Sequence, residues 1–297
     1  MKKFKCFIYG LILFNAAILS NVSSAVAQTN AVFPDSISFM HYNDRLQGWF
    51  YKAKGDGPFP TIILLQGSVG RDGDIFNLGK SLSEEGFNVM TYNYPGSWRS
   101  EGLRTDRAAL ESIKSALEFV RSEPNMQNLK IDTGKIILAG HSYGGGMALL
   151  AAALDPGIHH VISIAGADLY ETANELEQNP EKRQNFQQMV DRLLMNPSMI
   201  RGPVGQEYVE TMLSDKDSYN TVYYAETLAQ KHLLLLTGWL DRFKPMERYT
   251  LPLYRALQSS GAQNVKIVAF ETGHEFLNVQ NEVTKTIIDW LKQEYQK

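Results

Sequence analysis

The stretch from Gly140 to Gly145, Gly-His-Ser-Tyr-Gly-Gly, has the residue types and spacing best suited to covalent chemistry in this sequence. It follows an apolar run, Lys135 to Ala139, and precedes an Ala- and Leu-rich segment, Met147 to Leu154. A serine between glycines at a strand-to-helix turn is typical of a nucleophile, because small neighbours permit the strained turn that exposes its hydroxyl. We therefore predict that Ser142 is a catalytic nucleophile. A passive serine in a glycine-rich turn is the alternative.

A serine hydroxyl needs a base that accepts its proton, and the base needs an acid that orients it. Among the six histidines, His274 is the predicted base. It lies in a turn, Glu271 to Phe276, directly after the last apolar strand, where its side chain would reach the carboxyl edge of a sheet. Open α/β sheets bind their ligands at that edge. The other histidines are predicted to be packing or strand-end residues: His41, His141, His159, His160 and His232.

The predicted acid is Asp241, which lies in the loop Thr237 to Arg242, after the apolar run His232 to Thr237. Asp168 is the alternative, because it also follows a predicted strand. The alternative for Asp241 is a solvated or helix-capping aspartate without a catalytic role.

A tetrahedral intermediate needs two hydrogen-bond donors aimed at its oxygen. One predicted donor is the backbone N–H of Tyr143, directly after the nucleophile. The other is the backbone N–H of Ser68, in the loop Gln66 to Gly70 that follows an apolar strand. The alternative is that the glycines of this loop only form a tight turn.

The apolar runs around these residues predict an eight-stranded, mostly parallel sheet with helices on both faces, since strands alternate with helices of crossover length. The predicted strands are Ser36 to His41, Arg45 to Tyr51, Thr61 to Leu65, Asn88 to Tyr92, Lys135 to Ala139, His160 to Ala165, His232 to Thr237 and Val265 to Phe270. The predicted helices include Ile75 to Glu85, Thr105 to Arg121, Met147 to Leu154, Pro245 to Ser260 and Glu282 to Gln293, and Pro124 is expected to end the second of these regions.

Between about residues 169 and 230 the alternation stops, and the sequence becomes polar and rich in Glu, Gln and Asn. Its methionines are Met189, Met195, Met199 and Met212. We predict a helical cap inserted over the site. Ordinary peripheral helices are the alternative.

Residues 1–27 have three lysines, an apolar stretch and an Ala-Val-Ala ending, which predict a secretory signal peptide cleaved after Ala27. Cys6 is the only cysteine and lies in this segment, so cysteine chemistry and cysteine-ligated metal are excluded from the remaining 270 residues (297 − 27). The formal net charge is −3, and it becomes −6 when Lys2, Lys3 and Lys5 are removed. This charge favours neither nucleic acid nor an anionic membrane surface as a partner.

Together these residues resemble the α/β-hydrolase superfamily, and within it the serine esterases and the hydrolase domains of the prolyl-oligopeptidase group. The Gly140 to Gly145 motif is similar to the group's nucleophile turn, and the order Ser142, Asp241, His274 matches its order of nucleophile, acid and base. Gly67-Ser68 with Arg71-Asp72-Gly73 is similar to an oxyanion loop of small bacterial acyl-ester hydrolases.

The segment Asn93 to Gly102 resembles a second loop of the family, usually written D-x-R-G-x-G-x-S. Two residues depart from the family pattern: Gln66 replaces the usual histidine of the oxyanion loop, and Pro95 replaces the arginine of the second loop. Because of these two differences, the resemblance does not define the shape of the pocket or its substrate preference.

The resemblance implies a secreted or periplasmic serine hydrolase that cleaves carboxylic esters through a Ser142–Asp241–His274 triad and an acyl-enzyme intermediate. No metal or organic cofactor is expected, and the partner is a small ester or short acyl substrate. The alternative is a prolyl-oligopeptidase-like peptidase or amidase that acts on small peptides. A binding protein with this fold would lack a triad member, whereas a lyase or transferase would form product without net hydrolysis.

Overall fold

The structure is a computed structural model that describes residues 34–295. The predicted signal peptide, residues 1–27, lies outside the described residues. Within the described part of the chain, no helix is both long and apolar enough to cross a membrane.

Eight strands form one sheet, as predicted, and only the second runs antiparallel to its neighbours. The strands are Asp35–His41 (β1), Asp44–Tyr51 (β2), Phe59–Leu65 (β3), Asn88–Tyr92 (β4), Ile131–His141 (β5), His160–Ile164 (β6), His232–Gly238 (β7) and Val265–Phe270 (β8). Their order across the sheet is β1-β2-β4-β3-β5-β6-β7-β8. The strand that precedes Ser142, β5, therefore lies at the centre between β3 and β6. Because β3 to β8 are parallel, their carboxyl ends share one edge of the sheet.

Helices connect the strands and extend the chain beyond β8. They are Leu78–Glu84 (α1), Asp106–Arg121 (α2), Glu123–Asn128 (α3), Tyr143–Leu154 (α4), Leu169–Gln178 (α5), Pro180–Leu194 (α6), Gly205–Asp215 (α7), Ala225–Leu228 (α8), Met246–Tyr249 (α9), Leu251–Ser259 (α10) and Gln280–Tyr295 (α11), with a 3₁₀ turn at Lys216–Tyr219. Four of them, α5 to α8, lie between β6 and β7, and we call these the inserted helices.

Apolar side chains cover both faces of the sheet. On one face, α1 and α11 pack against β3, β6 and β7 through residues such as Leu82 and Trp290. On the other face, α2, α4 and α10 pack against the same sheet through residues such as Ile113, Met147 and Leu257. Burial on both faces explains why the central strands are continuous apolar runs without alternation.

Three helical predictions differ from the structure, each because of local backbone chemistry. The helix predicted from Ile75 begins at Leu78, because Asn77 adopts a left-handed conformation with φ 56°. The helix predicted over Pro245 to Ser260 divides at Thr250, because Pro252 lacks the N–H and clashes with the preceding turn. Pro124 does not end the helical region but occupies the first turn of α3, where proline is tolerated.

Candidate active site

Ser142 lies between the end of β5 and the start of α4 in a strained backbone conformation, with φ 55° and ψ −119°. Close backbone packing holds this turn. A Cβ on Gly140 would lie 2.3 Å from the Gly144 carbonyl carbon, and a Cβ on Gly144 would lie 2.3 Å from the Leu65 carbonyl oxygen. The glycines at these two positions are therefore required for β5, α4 and β3 to meet.

His274 lies in the loop after β8 and contacts both other predicted members of the triad. Its Nδ1 is 2.7 Å from Asp241 Oδ2, and its Nε2 is 2.8 Å from Ser142 Oγ. Because a carboxylate can only accept, the His274 Nδ1–H group donates to Asp241, which leaves the unprotonated Nε2 to accept a hydrogen bond from the Ser142 hydroxyl. The structure thus brings Ser142, His274 and Asp241 into one hydrogen-bonded chain, although 132 and 33 sequence positions separate the bonded residues.

The Asp241 carboxylate is fully buried and hydrogen-bonded at both oxygens. Its Oδ1 accepts the backbone N–H groups of Phe243 and Lys244, both at 2.8 Å. Burial alone would raise the pKa of Asp241, but the hydrogen bonds from His274 and from these two amides outweigh it and hold the pKa below its ordinary value. Asp241 therefore stays ionised and orients the imidazole.

Asp168, the alternative acid, has different partners. Its Oδ1 caps α5 by accepting the Glu171 N–H at 2.9 Å, and its Oδ2 accepts the backbone N–H and hydroxyl of Thr221 at 2.9 and 2.5 Å. These bonds fix the start of the inserted helices rather than orient His274.

His141 contacts the backbone of His274. Its Nε2 donates to the His274 carbonyl oxygen at 2.9 Å, and its ring packs edge-on against Phe76 and Phe276. Burial lowers the pKa of His141 to about 4. A neutral imidazole at this position fixes the backbone of the loop that holds His274 without adding charge.

The two predicted oxyanion donors lie beside Ser142. The position that a Cβ of Gly67 would occupy is 3.9 Å from Ser142 Cβ, so the loop containing Ser68 approaches the serine closely. Among the described residues, the N–H groups of Ser68 and Tyr143 have no hydrogen-bond partner. Gln66, which departs from the family pattern, is buried and donates to Thr91 Oγ1 at 2.8 Å, which ties the loop to β4.

A buried network joins these two donors to the inserted helices. The Arg104 guanidinium donates to the Tyr143 hydroxyl at 3.0 Å and to the Ser68 carbonyl at 3.3 Å. Asp106 Oδ1 accepts from the hydroxyls of Tyr143 and Tyr208 at 2.9 and 2.6 Å. Burial raises the pKa of Asp106, and the nearby guanidinium and hydroxyls oppose part of that rise. Tyr208 belongs to α7, so the network connects the loop that holds Ser68, the turn at Ser142 and the inserted helices.

A cavity of about 740 Å³ opens over Ser142 and His274. The inserted helices form its apolar wall, to which α6 contributes Phe186, Met189, Val190 and Leu193. Of the methionines singled out in the sequence, Met189 and Met212 line the cavity, whereas Met195 is exposed. The volume of the cavity suits a small organic molecule.

One group of potential metal ligands occurs among residues 34–295. His160, His232 and Glu294 offer ligand atoms within 4.8 Å of one another. His160 and His232 begin β6 and β7, so the group lies at the amino ends of the strands, at the edge opposite Ser142. It takes no part in the cavity.

Four residues of the site were not predicted from the sequence: Arg104, Asp106, Tyr208 and Lys244. Their sequence signals are weak. Arg104 and Asp106 flank the helix N-cap Thr105, and Lys244 follows Asp241 by three positions, but neither position indicates contact with the site. Only the assembled fold shows that these side chains reach the cavity or the groups beside Ser142.

The sequence of residues 60–202 matches the family described as alpha/beta hydrolase fold. An uncharacterized protein, YfhR of Escherichia coli O157:H7, is 30% identical over 123 residues, which are 40% of this chain and 42% of the relative. The bis(hydroxyethyl) terephthalate hydrolase of Streptomyces coelicolor is 25% identical over 116 residues, 39% of this chain and 36% of that protein. The chain therefore spans less than half the length of these curated relatives.

Solved structures share the fold over nearly the whole chain. Est1E from Butyrivibrio proteoclasticus has a TM-score of 0.65 and 18% identity, covering 88% of this chain and 99% of that chain. The acylaminoacyl peptidase of Pyrococcus horikoshii has a TM-score of 0.63 and 19% identity, covering 88% of this chain and 41% of that chain. At these identities the likeness is one of fold.

Proposed function

Because this chain belongs to the α/β-hydrolase superfamily, we propose that it is a serine hydrolase that cleaves carboxylic esters through Ser142, His274 and Asp241. The observation that carries the proposal is the hydrogen-bonded chain from Asp241 through His274 to Ser142, with distances of 2.7 and 2.8 Å. A nucleophile, a base and an orienting acid in this geometry constitute the acyl-transfer machinery of serine hydrolases.

In the first half of the reaction, Ser142 Oγ attacks the ester carbonyl carbon while His274 Nε2 accepts the hydroxyl proton. The N–H groups of Ser68 and Tyr143 stabilise the resulting oxyanion. His274 then protonates the departing alcohol oxygen, and the bond between that oxygen and the carbonyl carbon breaks. Asp241 stabilises the imidazolium during both transfers.

In the second half, a water molecule loses a proton to His274 and attacks the acyl-enzyme carbonyl. Collapse of the second intermediate returns the proton to Ser142 Oγ and releases the carboxylic acid. The proposed reaction therefore consumes one ester and one water and yields one acid and one alcohol.

Two similar proteins support the proposal of an ester substrate. One relative is a bis(hydroxyethyl) terephthalate hydrolase, and one structure of similar fold holds ferulic acid. The apolar α6 wall fits the carbon skeleton of such small acyl groups. A peptidase with the same triad is the competing outcome, since one similar fold is that of an acylaminoacyl peptidase.

The test compares the protein from Gln28 onward with its Ser142→Ala variant on short-chain p-nitrophenyl esters and on aminoacyl and prolyl anilides. We expect ester cleavage by the wild type and a loss of about 10⁴-fold in kcat for Ser142→Ala. Circular dichroism of both proteins controls for folding.

Anilide turnover with a kcat/KM comparable to that for esters would favour a peptidase. Ester turnover of the Ser142→Ala variant within tenfold of the wild type would refute the proposed nucleophile.

A further inference from the structure

The cavity above Ser142 carries an excess of positive charge in an acidic chain. The formal net charge of the whole sequence is −3. Two glutamates line the cavity against five basic residues, a formal difference of 5 − 2 = +3. The basic residues are Arg71, Arg104, Lys182, Arg242 and Lys244. A cationic cleft with low-dielectric walls attracts anionic ligands.

Three of the five cations have structural partners. Arg71 pairs with Glu275 at 3.2 Å, and Lys182 pairs with Glu175. Arg104 donates to the Ser68 carbonyl and the Tyr143 hydroxyl in the buried network described above. The two that remain are Arg242, which is exposed at the mouth, and Lys244, which is half-buried.

Lys244 is placed as a binding group rather than as part of an ion pair. Its Nζ donates to Thr172 Oγ1 at 3.0 Å and lies 4.4 Å from the centre of the Tyr249 ring. Within the described part of the chain, no carboxylate oxygen lies within 4.0 Å of this ammonium. An ammonium has three donors, and the described residues accept one of them, at Thr172.

We propose that Lys244 binds a carboxylate on the substrate, so that this hydrolase prefers esters carrying a second, anionic group. The inference rests on the proposed ester hydrolysis at Ser142. Lys244 lies on the same loop as Asp241, whose Oδ1 accepts the Lys244 backbone N–H, so the ammonium and the triad are held in one frame. The apolar wall of α6 accommodates the carbon chain between the ester and the carboxylate.

The charge state of Lys244 sets the pH range of this preference. Burial lowers the pKa of Lys244 to about 8, so the ammonium predominates at pH 7 and is lost as the pH rises through 8. Its surroundings are Thr172, Tyr249, Glu175, Asp168, Asp241 and Arg248; the three carboxylates favour the charged form, whereas Arg248 opposes it. A substrate carboxylate stays ionised over this range. We therefore expect KM for the anionic ester to rise above pH 8 more than KM for its neutral counterpart.

The experiment measures kcat/KM for two matched pairs of esters. The first pair, mono-p-nitrophenyl adipate and p-nitrophenyl hexanoate, carries the charge on the acyl side. The second pair, 4-(butanoyloxy)benzoate and phenyl butanoate, carries it on the alcohol side. For at least one pair, we expect the wild type to prefer the anionic member by about tenfold or more.

Three variants test the role of Lys244. Lys244→Met removes the charge and is expected to reduce the anionic-to-neutral ratio by about tenfold. Lys244→Arg keeps the charge and should retain most of the ratio, which separates loss of charge from misfolding. Arg255→Gln, the control, removes an exposed charge that does not line the cavity and should change the ratio by less than about threefold.

Equal ratios in the wild type and Lys244→Met, or equal losses in Lys244→Met and Lys244→Arg, would overturn this inference while leaving ester hydrolysis intact. If the wild type cleaves neither the neutral nor the anionic esters, the proposed function itself fails.

Discussion

Ser142 can reach the cavity because hydrogen bonds to its neighbours hold its backbone in a strained conformation. The serine takes φ 55° and ψ −119°, and its carbonyl oxygen accepts the Gly145 and Ala167 N–H groups at 3.0 and 2.9 Å. Its own N–H donates to the Ile164 carbonyl at 2.8 Å. These bonds over-determine the turn, which is how a fold maintains strain at a reactive residue.

His141 provides a pH-dependent test of the local structure. Burial lowers its pKa to about 4 from an ordinary value of 6.5. Below pH 6.5 the unfolded chain takes a proton on this imidazole, whereas the folded protein does not until about pH 4. The free energy of unfolding therefore falls as the pH drops from 6.5 to 4, by about 3 kcal/mol in total.

The measurement is urea unfolding of the wild type and His141→Gln between pH 7 and 4. Glutamine retains an N–H donor for the His274 carbonyl but does not titrate, so its stability should fall less over this window. The pKa of Asp241 in the folded protein is below its ordinary value of 3.8. Protonation of Asp241 therefore lowers the free energy of unfolding only at a pH below this window. Parallel pH profiles for the two proteins would contradict a neutral, buried His141.

The hydrogen bonds around Arg104 connect α2, the turn at Ser142 and the inserted helices. The Arg104 guanidinium lies 4.7 and 4.3 Å from the ring centres of Tyr94 and Tyr143. Asp106 is the first residue of α2, and Tyr208 reaches it from α7. The Arg104 hydrogen bonds therefore help to position Ser68 and Tyr143, whose N–H groups are the two predicted oxyanion donors.

Substitution of Arg104 tests this network. Arg104→Met removes a buried cation near Asp106 and the hydrogen bonds that it donates to the Tyr143 hydroxyl and the Ser68 carbonyl, which is expected to cost about 1–3 kcal/mol of unfolding free energy. Arg107→Met is the matched control: Arg107 is on the surface of the same region and, among residues 34–295, its ion-pair partner is Glu111 in α2. Urea denaturation followed by tryptophan fluorescence measures both. Equal stability of the two variants would show that the network contributes nothing.

The sequence predicts elements well where burial imposes a pattern. The runs Thr61 to Leu65 and His232 to Thr237 are continuous and apolar because helices cover both faces of the sheet, and both form strands. Helix ends were predicted less well, since Asn77 and Pro252 act through local backbone geometry rather than through periodicity.

Within the candidate site, the motif and the loop positions after strands pointed to Ser142, Asp241 and His274, and the fold brings these side chains together. The same reasoning could not find Arg104 or Lys244. Tyr143 is 39 positions from Arg104, and Thr172 is 72 positions from Lys244. No local pattern encodes such contacts, which depend on how elements distant in sequence pack together.

The inserted helices and a loop that follows β4 enclose the cavity together. The Trp98 N–H donates to the Met199 carbonyl at 2.9 Å, and the Arg104 N–H donates to the Arg201 carbonyl at 2.7 Å. Ser97 and Ile200 form an antiparallel bridge. These contacts join the segment resembling the second family loop, Asn93 to Gly102, to the chain between α6 and α7, and thereby fix one rim of the cavity.

The location of the molecule in the cell is a separate proposal. We propose that the protein is exported and that its leader is cleaved after Ala27, because residues 1–27 have the charged, apolar and small-residue regions of a signal peptide. N-terminal sequencing of the protein from a periplasmic fraction is expected to begin at Gln28. Full-length protein that begins at Met1 and fractionates with the cytoplasm would contradict export.

If His274 and Asp241 make Ser142 nucleophilic, as we propose, a serine-directed covalent probe should react with that residue. The folded protein is treated with a fluorophosphonate probe, its intact mass is measured, and the modified peptide is sequenced, with heat-denatured protein as the control. We predict one probe per chain on Ser142, no label on Ser142→Ala, and much slower labelling of His274→Ala. A wild-type protein that stays unlabelled, or that carries its label on another residue, would contradict the proposed mechanism.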